Sequence, residues 1–252
     1  MYYEVYEQAR KLVKECGNIL KTKTYTHLNY KTGKQDLVSD MDTYIGNVLS
    51  ASLMKLVEGS IVVNEEAQHQ MGDYMWILDP IDGTTNYVSS HENFAVSLAF
   101  YVKKQPVFGI VYDVMKEEMF HAYTGKGAFC NSQKLLPLPE VTLSESVWDC
   151  SYGSILDFTK KHADMLSIQK ESRGHRALGC ASLVIAHIAQ GKLQASLSSH
   201  VKCWDYAAAC ILLKEVNGTW QIRNDFFTME KTEAIFCSCT SLLKEIQRYI
   251  QE

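Results

Sequence analysis

An apolar run, Met75-Trp76-Ile77-Leu78, stops abruptly at Asp79-Pro80-Ile81-Asp82-Gly83-Thr84-Thr85. Four large apolar residues in succession read as a buried strand. Pro80 has no N–H to donate and marks where regular pairing ends. Gly83, Thr84 and Thr85 suit a turn that leads into a helix start. The fold must therefore join a buried strand to a helix across a corner that carries two carboxylates and two hydroxyls. Free backbone N–H groups at such a corner suit an anion, and carboxylates suit a cation. A phosphate held through metal ions needs both.

The rest of the composition narrows the setting. With 252 residues and 46% apolar content, the chain can bury a sizeable core as one large domain or two packed subdomains. Its 25 basic and 29 acidic residues give a net charge of −4, a poor balance for general nucleic-acid binding. No segment is long and apolar enough to span a bilayer, and Met1-Tyr2-Tyr3-Glu4 lacks a signal-peptide profile. Of the eight cysteines, the close pair Cys237 and Cys239 has one residue between, not zinc-knuckle spacing. Reduced, buried thiols in a cytoplasmic protein are the expectation.

Periodicity predicts an amphipathic helix over 2–22, a polar loop or hairpin over 23–38 and a helix over 40–57. Strands are expected at 61–63, up to Asp79, and at 94–102, 106–113, 117–123 and 127–130. Leu135-Leu136-Pro137-Leu138-Pro139 is the expected boundary, giving subdomains 1–140 and 141–252. Beyond it, strands near 146–151, 193–197 and 233–237 alternate with helices near 159–170, 180–190, 203–216 and 240–251, a pattern of parallel α/β layering.

Acidic residues recur at strand ends: Glu65-Glu66, Asp79 with Asp82, and Asp205 before an apolar helix. Taken singly, Asp205 is a helix cap and Glu65-Glu66 a solvated turn. Taken together they form an oxygen-rich set for Mg²⁺ or Mn²⁺, because clustered carboxylates cannot all ionise without cations. Asp42 is equally a helix cap or a site residue, and Thr84 by itself reads as a plain N-cap.

The runs Asp36-Leu37-Val38-Ser39-Asp40-Met41-Asp42, Glu65-Glu66, Trp76 to Tyr87 and Trp204-Asp205 resemble the inositol monophosphatase family, as does Gly125 to Asn131. That resemblance implies a layered α-β-α-β-α sandwich, with a large mostly antiparallel sheet and a smaller mostly parallel one. It implies a lithium-sensitive, Mg²⁺-dependent phosphomonoesterase with two or three ions. Glu65, Asp79 and the Ile81 carbonyl would hold the first ion; Asp79, Asp82 and Asp205 would hold the second. Thr84, polarised by Asp42, would orient the attacking water. Gly83, Thr84 and Thr85 would cradle phosphate, with Cys180, Ala181 and Ser198 beside the leaving group. A homodimer is implied, with the strand-rich 94–123 region as the expected contact.

Two positions depart from the family pattern. Ala209 stands where a glycine is usual, a mild change for helix packing. Ser198 stands where inositol-specific members carry a glutamate, which loosens the expectation of strict inositol specificity. Arg176 or His175 is a candidate contact to a second phosphate, against a surface ion pair as the alternative for Arg176. The candidate esters are inositol phosphates, the 2′-phosphate of NADP, and sugar phosphates such as fructose 1,6-bisphosphate. A noncatalytic metal-binding regulator and a two-metal nuclease are the alternatives of another class. His91 and His200 show no metal-ligand spacing.

Overall fold

The computed structural model describes residues 2–23, 25–30, 37–65 and 71–250. Helix α1 (Tyr3–Thr22) buries Tyr6, Ala9, Val13, Cys16 and Leu20, a stripe at three- and four-residue spacing. Strands β1 (Leu28–Tyr30) and β2 (Leu37–Ser39) pair antiparallel, so the polar stretch contains a hairpin. Helix α2 (Asp40–Leu56) follows at once.

Seven strands then form one sheet in sequence order: β3 (Ile61–Asn64), β4 (Tyr74–Asp82), β5 (Ala95–Val102), β6 (Gln105–Asp113), β7 (Glu118–Tyr123), β8 (Ala128–Cys130) and β9 (Gln133–Lys134). All neighbours are antiparallel except β3 and β4. The short helix α3 (Thr84–Ser89) leaves the end of β4. The second half contains β10 (Val147–Asp149), α4 (Tyr152–Lys160), α5 (Met165–Glu171), β11 (Gly174–Arg176), α6 (Ala181–Ala189), β12 (Ala195–Val201), α7 (Cys203–Glu215), β13 (Thr219–Ile222), β14 (Thr232–Cys237) and α8 (Thr240–Ile250). Its sheet runs β11-β10-β12-β14-β13. The pairings β11-β10 and β10-β12 are parallel, as expected; β12-β14 and β14-β13 are antiparallel.

One helix and three strands differ from the sequence expectation. The helix expected over 159–170 is two helices, α4 and α5, because His162 adopts φ 66° and Asp164 caps a new start by accepting from Ser167 N. Strands β9, β11 and β13 were not anticipated. β11 is three residues, Gly174-His175-Arg176, at a sheet edge with no apolar alternation.

Alternation along β4 explains the layering. Trp76 and Leu78 point into a core with α1 and α2, whereas Met75 and Ile77 point into a core with α6 and α7. That middle core takes residues from both sides of the Leu135–Pro139 segment, including Ala99, Val111, Leu183, Ala207 and Phe236. A third core, with Trp148, Phe158, Ile168, Leu242 and Ile246, covers the far face of the smaller sheet. The layers are thus α-β-α-β-α, with α6 and α7 in the middle.

Helix α7 lies unusually close to the large sheet. A Cβ at Gly109 of β6 would come within 2.3 Å of the Ala208 carbonyl oxygen. Tyr101 Oη donates to Ala207 O at 3.1 Å, and Ser97 Oγ to Trp204 O at 3.2 Å. At its far end Glu215 accepts from Gly125 N and Gly127 N, each at 2.7 Å, and so grips the β7–β8 hairpin. Ala209 is fully buried in this contact.

Candidate active site

The parity that sends Ile77 toward α7 also sends Asp79 there. Pairing with β5 then slips: Asp79 faces Ser97 and Asp82 faces Ala95, so three steps on β4 match two on β5. Pro80 and Ile81 form this bulge, which suits a residue that cannot donate to the ladder. Asp79 Oδ1 accepts from Ile81 N at 3.1 Å. Gly83 turns the chain at φ 85°, and a Cβ there would press on Cys180 Cβ, Asn93 O and Gly179 O. Glycine is required twice over, by conformation and by space.

Helix α2 brings Asp42. Its Oδ2 accepts from Ser39 N and Ser39 Oγ at 2.8 and 2.5 Å, while Ser39 Oγ caps Asp42 N. This is a capping box. Its other oxygen, Oδ1, accepts from Thr84 Oγ1 at 3.0 Å. Asp42 is thus the third residue of the capping box, with Ser39 as the cap itself, and its second oxygen is left to Thr84. Thr84 Oγ1 also lies 3.0 Å from Ile81 O. One hydroxyl proton thus has two acceptors, and the oxygen keeps its lone pairs for a donor.

Helices α6 and α7 supply the other wall. Asp82 accepts from Ser182 N at 2.6 Å, Ala181 N at 3.3 Å and Cys180 Sγ at 3.1 Å, so it sits at the start of α6. Asp205 Oδ2 accepts from Lys202 N at 2.8 Å within the first turn of α7. The N-cap expected at Asp205 is instead Lys202, and Asp205 is the third residue of the helix, closing a capping box. Asn86 ties the corner together, donating to Asn93 O at 2.9 Å and Leu178 O at 2.7 Å. Sequence reasoning passed over Asn86; its place inside the corner motif was the available signal.

These carboxylates act on one another's charge. Burial raises the pKa of Asp79 well above the usual range, and Glu65, Asp82, Asp205 and Asp42 raise it further. Asp205 is raised by burial, then by Asp82 and Glu65. Asp82 is raised by burial, against hydrogen bonds from Ser182, Cys180 and Ala181. Asp42 is raised chiefly by burial. The charges that raise Asp79 are Glu65, Asp82, Asp205 and Asp42, all carboxylates. With Asp79 and Asp82 buried and Glu65 and Asp205 half-buried, such an all-oxygen set fits a hard divalent cation, which Glu65, Asp79, Asp82, Asp205 and the Ile81 carbonyl would hold. Glu66 and Asp36 lie outside the described residues.

A cavity of about 210 Å³ opens beside them, lined by Asp82, Asp205, Gly179, Cys180, Ala181 and Ser198 of the expected residues. It is also lined by Asp149, Ser151 and Ser196, which the sequence did not single out. Thr85 is exposed at the α3 start. Arg176 is not on the cavity wall: its exposed guanidinium donates to His175 O at 2.8 Å. His175 Nε2 pairs with Cys150 O. His200 lies 3.0 Å from Asp157, an ordinary surface ion pair. Elsewhere, Asp113, Glu118 and His187 place ligand atoms within 4.8 Å of one another. Lys116 and Lys192 stand at 3.2 and 3.7 Å from its two carboxylates, so that cluster has its own cations.

The chain matches the family model described as the inositol monophosphatase family over residues 1–251. It is 31% identical to the inositol-1-monophosphatase of Bacillus subtilis, over 96% of this chain and 95% of that one. It is 31% identical to a fructose-1,6-bisphosphatase/inositol-1-monophosphatase of Thermotoga maritima, over 82% of this chain and 80% of that one. The crystal structure of inositol monophosphatase-II from Staphylococcus aureus superposes with a TM-score of 0.83 at 27% identity, covering 98% of this chain and 94% of that one. The family match spans nearly the whole chain, and the protein belongs to the inositol monophosphatase family, a family of phosphatases.

Proposed function

We propose that this chain is a divalent-metal-dependent phosphomonoesterase that acts on small phosphate esters of the inositol monophosphate kind. One observation carries the proposal: buried Asp79 and Asp82 of β4, half-buried Asp205 of α7 and Glu65 after β3 act on one another's charge, and Asp42, which accepts from Thr84, acts on Asp79 too. Mg²⁺, or Mn²⁺, in two or three ions, would offset those charges and acidify a bound water. The chain's own groups do the rest. Asp42 draws the Thr84 proton toward itself, which leaves Thr84 Oγ1 as an acceptor that orients a water. Backbone N–H groups of Gly83, Thr84 and Thr85 face the phosphate oxygens; Cys180, Ala181 and Ser198 border the leaving group.

The intact Thr84–Asp42 pair argues against a noncatalytic regulator, because it serves a water more than the fold. Lithium inhibition and a homodimer complete the proposal. Strands β5 to β7 are largely buried within the chain, so a dimer contact there would use their connecting turns. Every cysteine is free and buried, which supports a reducing, cytoplasmic setting. Among the described residues no helix is long and apolar enough to cross a membrane.

Phosphate release should be measured with Mg²⁺ against inositol 1-phosphate, fructose 1,6-bisphosphate and NADP, with Asp82→Asn as control. Release that vanishes in the variant is the expected result. No release from any ester by metal-loaded wild type would overturn the proposal in favour of the regulator.

A further inference from the structure

Asp149 ends β10, between the parallel neighbours β11 and β12. The residue is buried, with 7% of its surface exposed. Oδ2 accepts from Leu178 N at 2.8 Å, and Oδ1 has no hydrogen-bond partner among the described residues. The residue lines the same cavity as Asp82 and Asp205. That oxygen is open to the cavity, where a ligand hydroxyl can donate to it. The nearby wall adds Ser196 and Ser198. Ser198 Oγ accepts from His200 N, so its own proton remains for a ligand. Among the described residues, no lysine, arginine or histidine lines this cavity.

We infer that Asp149 is a specificity-determining residue, whose free Oδ1 accepts hydroxyl protons of an uncharged polyol leaving group and disfavours esters with a second phosphate. The inference rests on the phosphatase reading above and narrows its substrate class. Burial lifts the Asp149 pKa to about 6, so the group is still ionised at neutral pH. An anionic acceptor gains from hydroxyl donors and meets a second phosphate as a like charge. Polyol and sugar monophosphates therefore fit this end of the cavity better than bisphosphates or dinucleotides.

Asp149→Asn is the test, since its carbonyl still accepts from Leu178 N while the charge is gone. Inositol 1-phosphate is compared with phenyl phosphate, which has no hydroxyl on its leaving group. The expected result is a 10- to 100-fold rise in KM for the inositol ester, the size of a lost charged hydrogen bond. Phenyl phosphate should hold its kcat/KM, and fructose 1,6-bisphosphate should improve. Equal effects on inositol and phenyl esters, or none, would overturn the assignment. Wild-type inactivity on all three esters would count against the phosphatase proposal alone. In that case calorimetric binding of inositol 1-phosphate with Ca²⁺ decides, and equal affinity in wild type and variant overturns the role of Asp149. Asp149→Ser, read in the same two assays, replaces Asp149→Asn if the latter fails to show a cooperative melt.

Discussion

Gly109→Ala tests whether the closeness of α7 to the large sheet holds the site together. The added Cβ would lie 2.3 Å from Ala208 O and 3.0 Å from Ala208 C and Cα. All three are backbone atoms, so no side chain can turn aside; the oxygen gap must open beyond 3.0 Å. The helix resists because Tyr101 and Ser97 bond its carbonyls and Glu215 grips the hairpin at its end. Overpacking of this kind costs about 1–3 kcal/mol, which for a chain of this size is a melting temperature lower by roughly 2–12 °C. The same shift moves Asp205, four residues before Ala209 on that helix, out of register with Asp79 and Asp82. A displacement approaching 1 Å at a catalytic group costs on the order of 10²-fold in rate. Melting followed by circular dichroism, and phosphate release at 20 °C over a Mg²⁺ series, should show both losses together with a higher Mg²⁺ requirement. A melting temperature within about 1 °C of wild type would refute the packing claim. A lowered melting temperature with unchanged kcat/KM would refute the link from α7 to the site.

Thr84→Val should lower kcat by about 10²–10⁴ with little change in KM, because an oriented proton acceptor is lost; Thr84→Ser should retain most activity, and a kcat within threefold of wild type for Val would count against the water role. Asp82→Asn should abolish phosphate release yet leave the metal-free protein at least as stable as wild type, since one repelling carboxylate is neutralised; a sharp loss of metal-free stability would show that Asp82 acts mainly as the α6 cap. The site carboxylates have folded pKa values raised above unfolded ones, so their contribution to stability is present at low pH and lost as pH rises through the folded values. Mg²⁺ should therefore raise the melting temperature more at pH 8 than at pH 5, and equal shifts would contradict a carboxylate site. His121 and His187 are lowered to about 4 by burial, so each favours the folded state above pH 6.5 and loses that contribution as pH falls toward 4. Their ring protons in an NMR titration should stay at the neutral shift down to about pH 5; a midpoint near 6.5 would show that they are solvated.

The elements with strong local signals were legible in the chain. The stripe of α1, the apolar run of β4 and the strands 94–123 each bury faces that their own periodicity announces. β13 was missed although Trp220 and Ile222 alternate after Gly218, because four residues offer too short a period. The break between α4 and α5 was missed because it depends on one left-handed residue, His162, for which no glycine gives warning.

The site divides along the same line. The corner Asp79–Thr85 declares its chemistry in one local string, since a proline bulge, an αL glycine and hydroxyls at a helix start are local requirements. Asp42 and Asp205 look like helix N-caps in sequence; in the fold each is the third residue of its helix, accepting from the backbone N–H of the true caps Ser39 and Lys202, and only the fold brings both within electrostatic reach of the other site carboxylates. Asp149 carried no local signal at all. It became a cavity residue because β10 lies between β11 and β12, and because α6 and α7 fill the space between two sheets. The sequence by itself determined which groups were available and which segments were strands or helices, because those depend on neighbours along the chain. Which distant carboxylates share one buried space was decided by the packing of the layers, because the electrostatic cost and the binding they offer depend on distance and burial rather than on order.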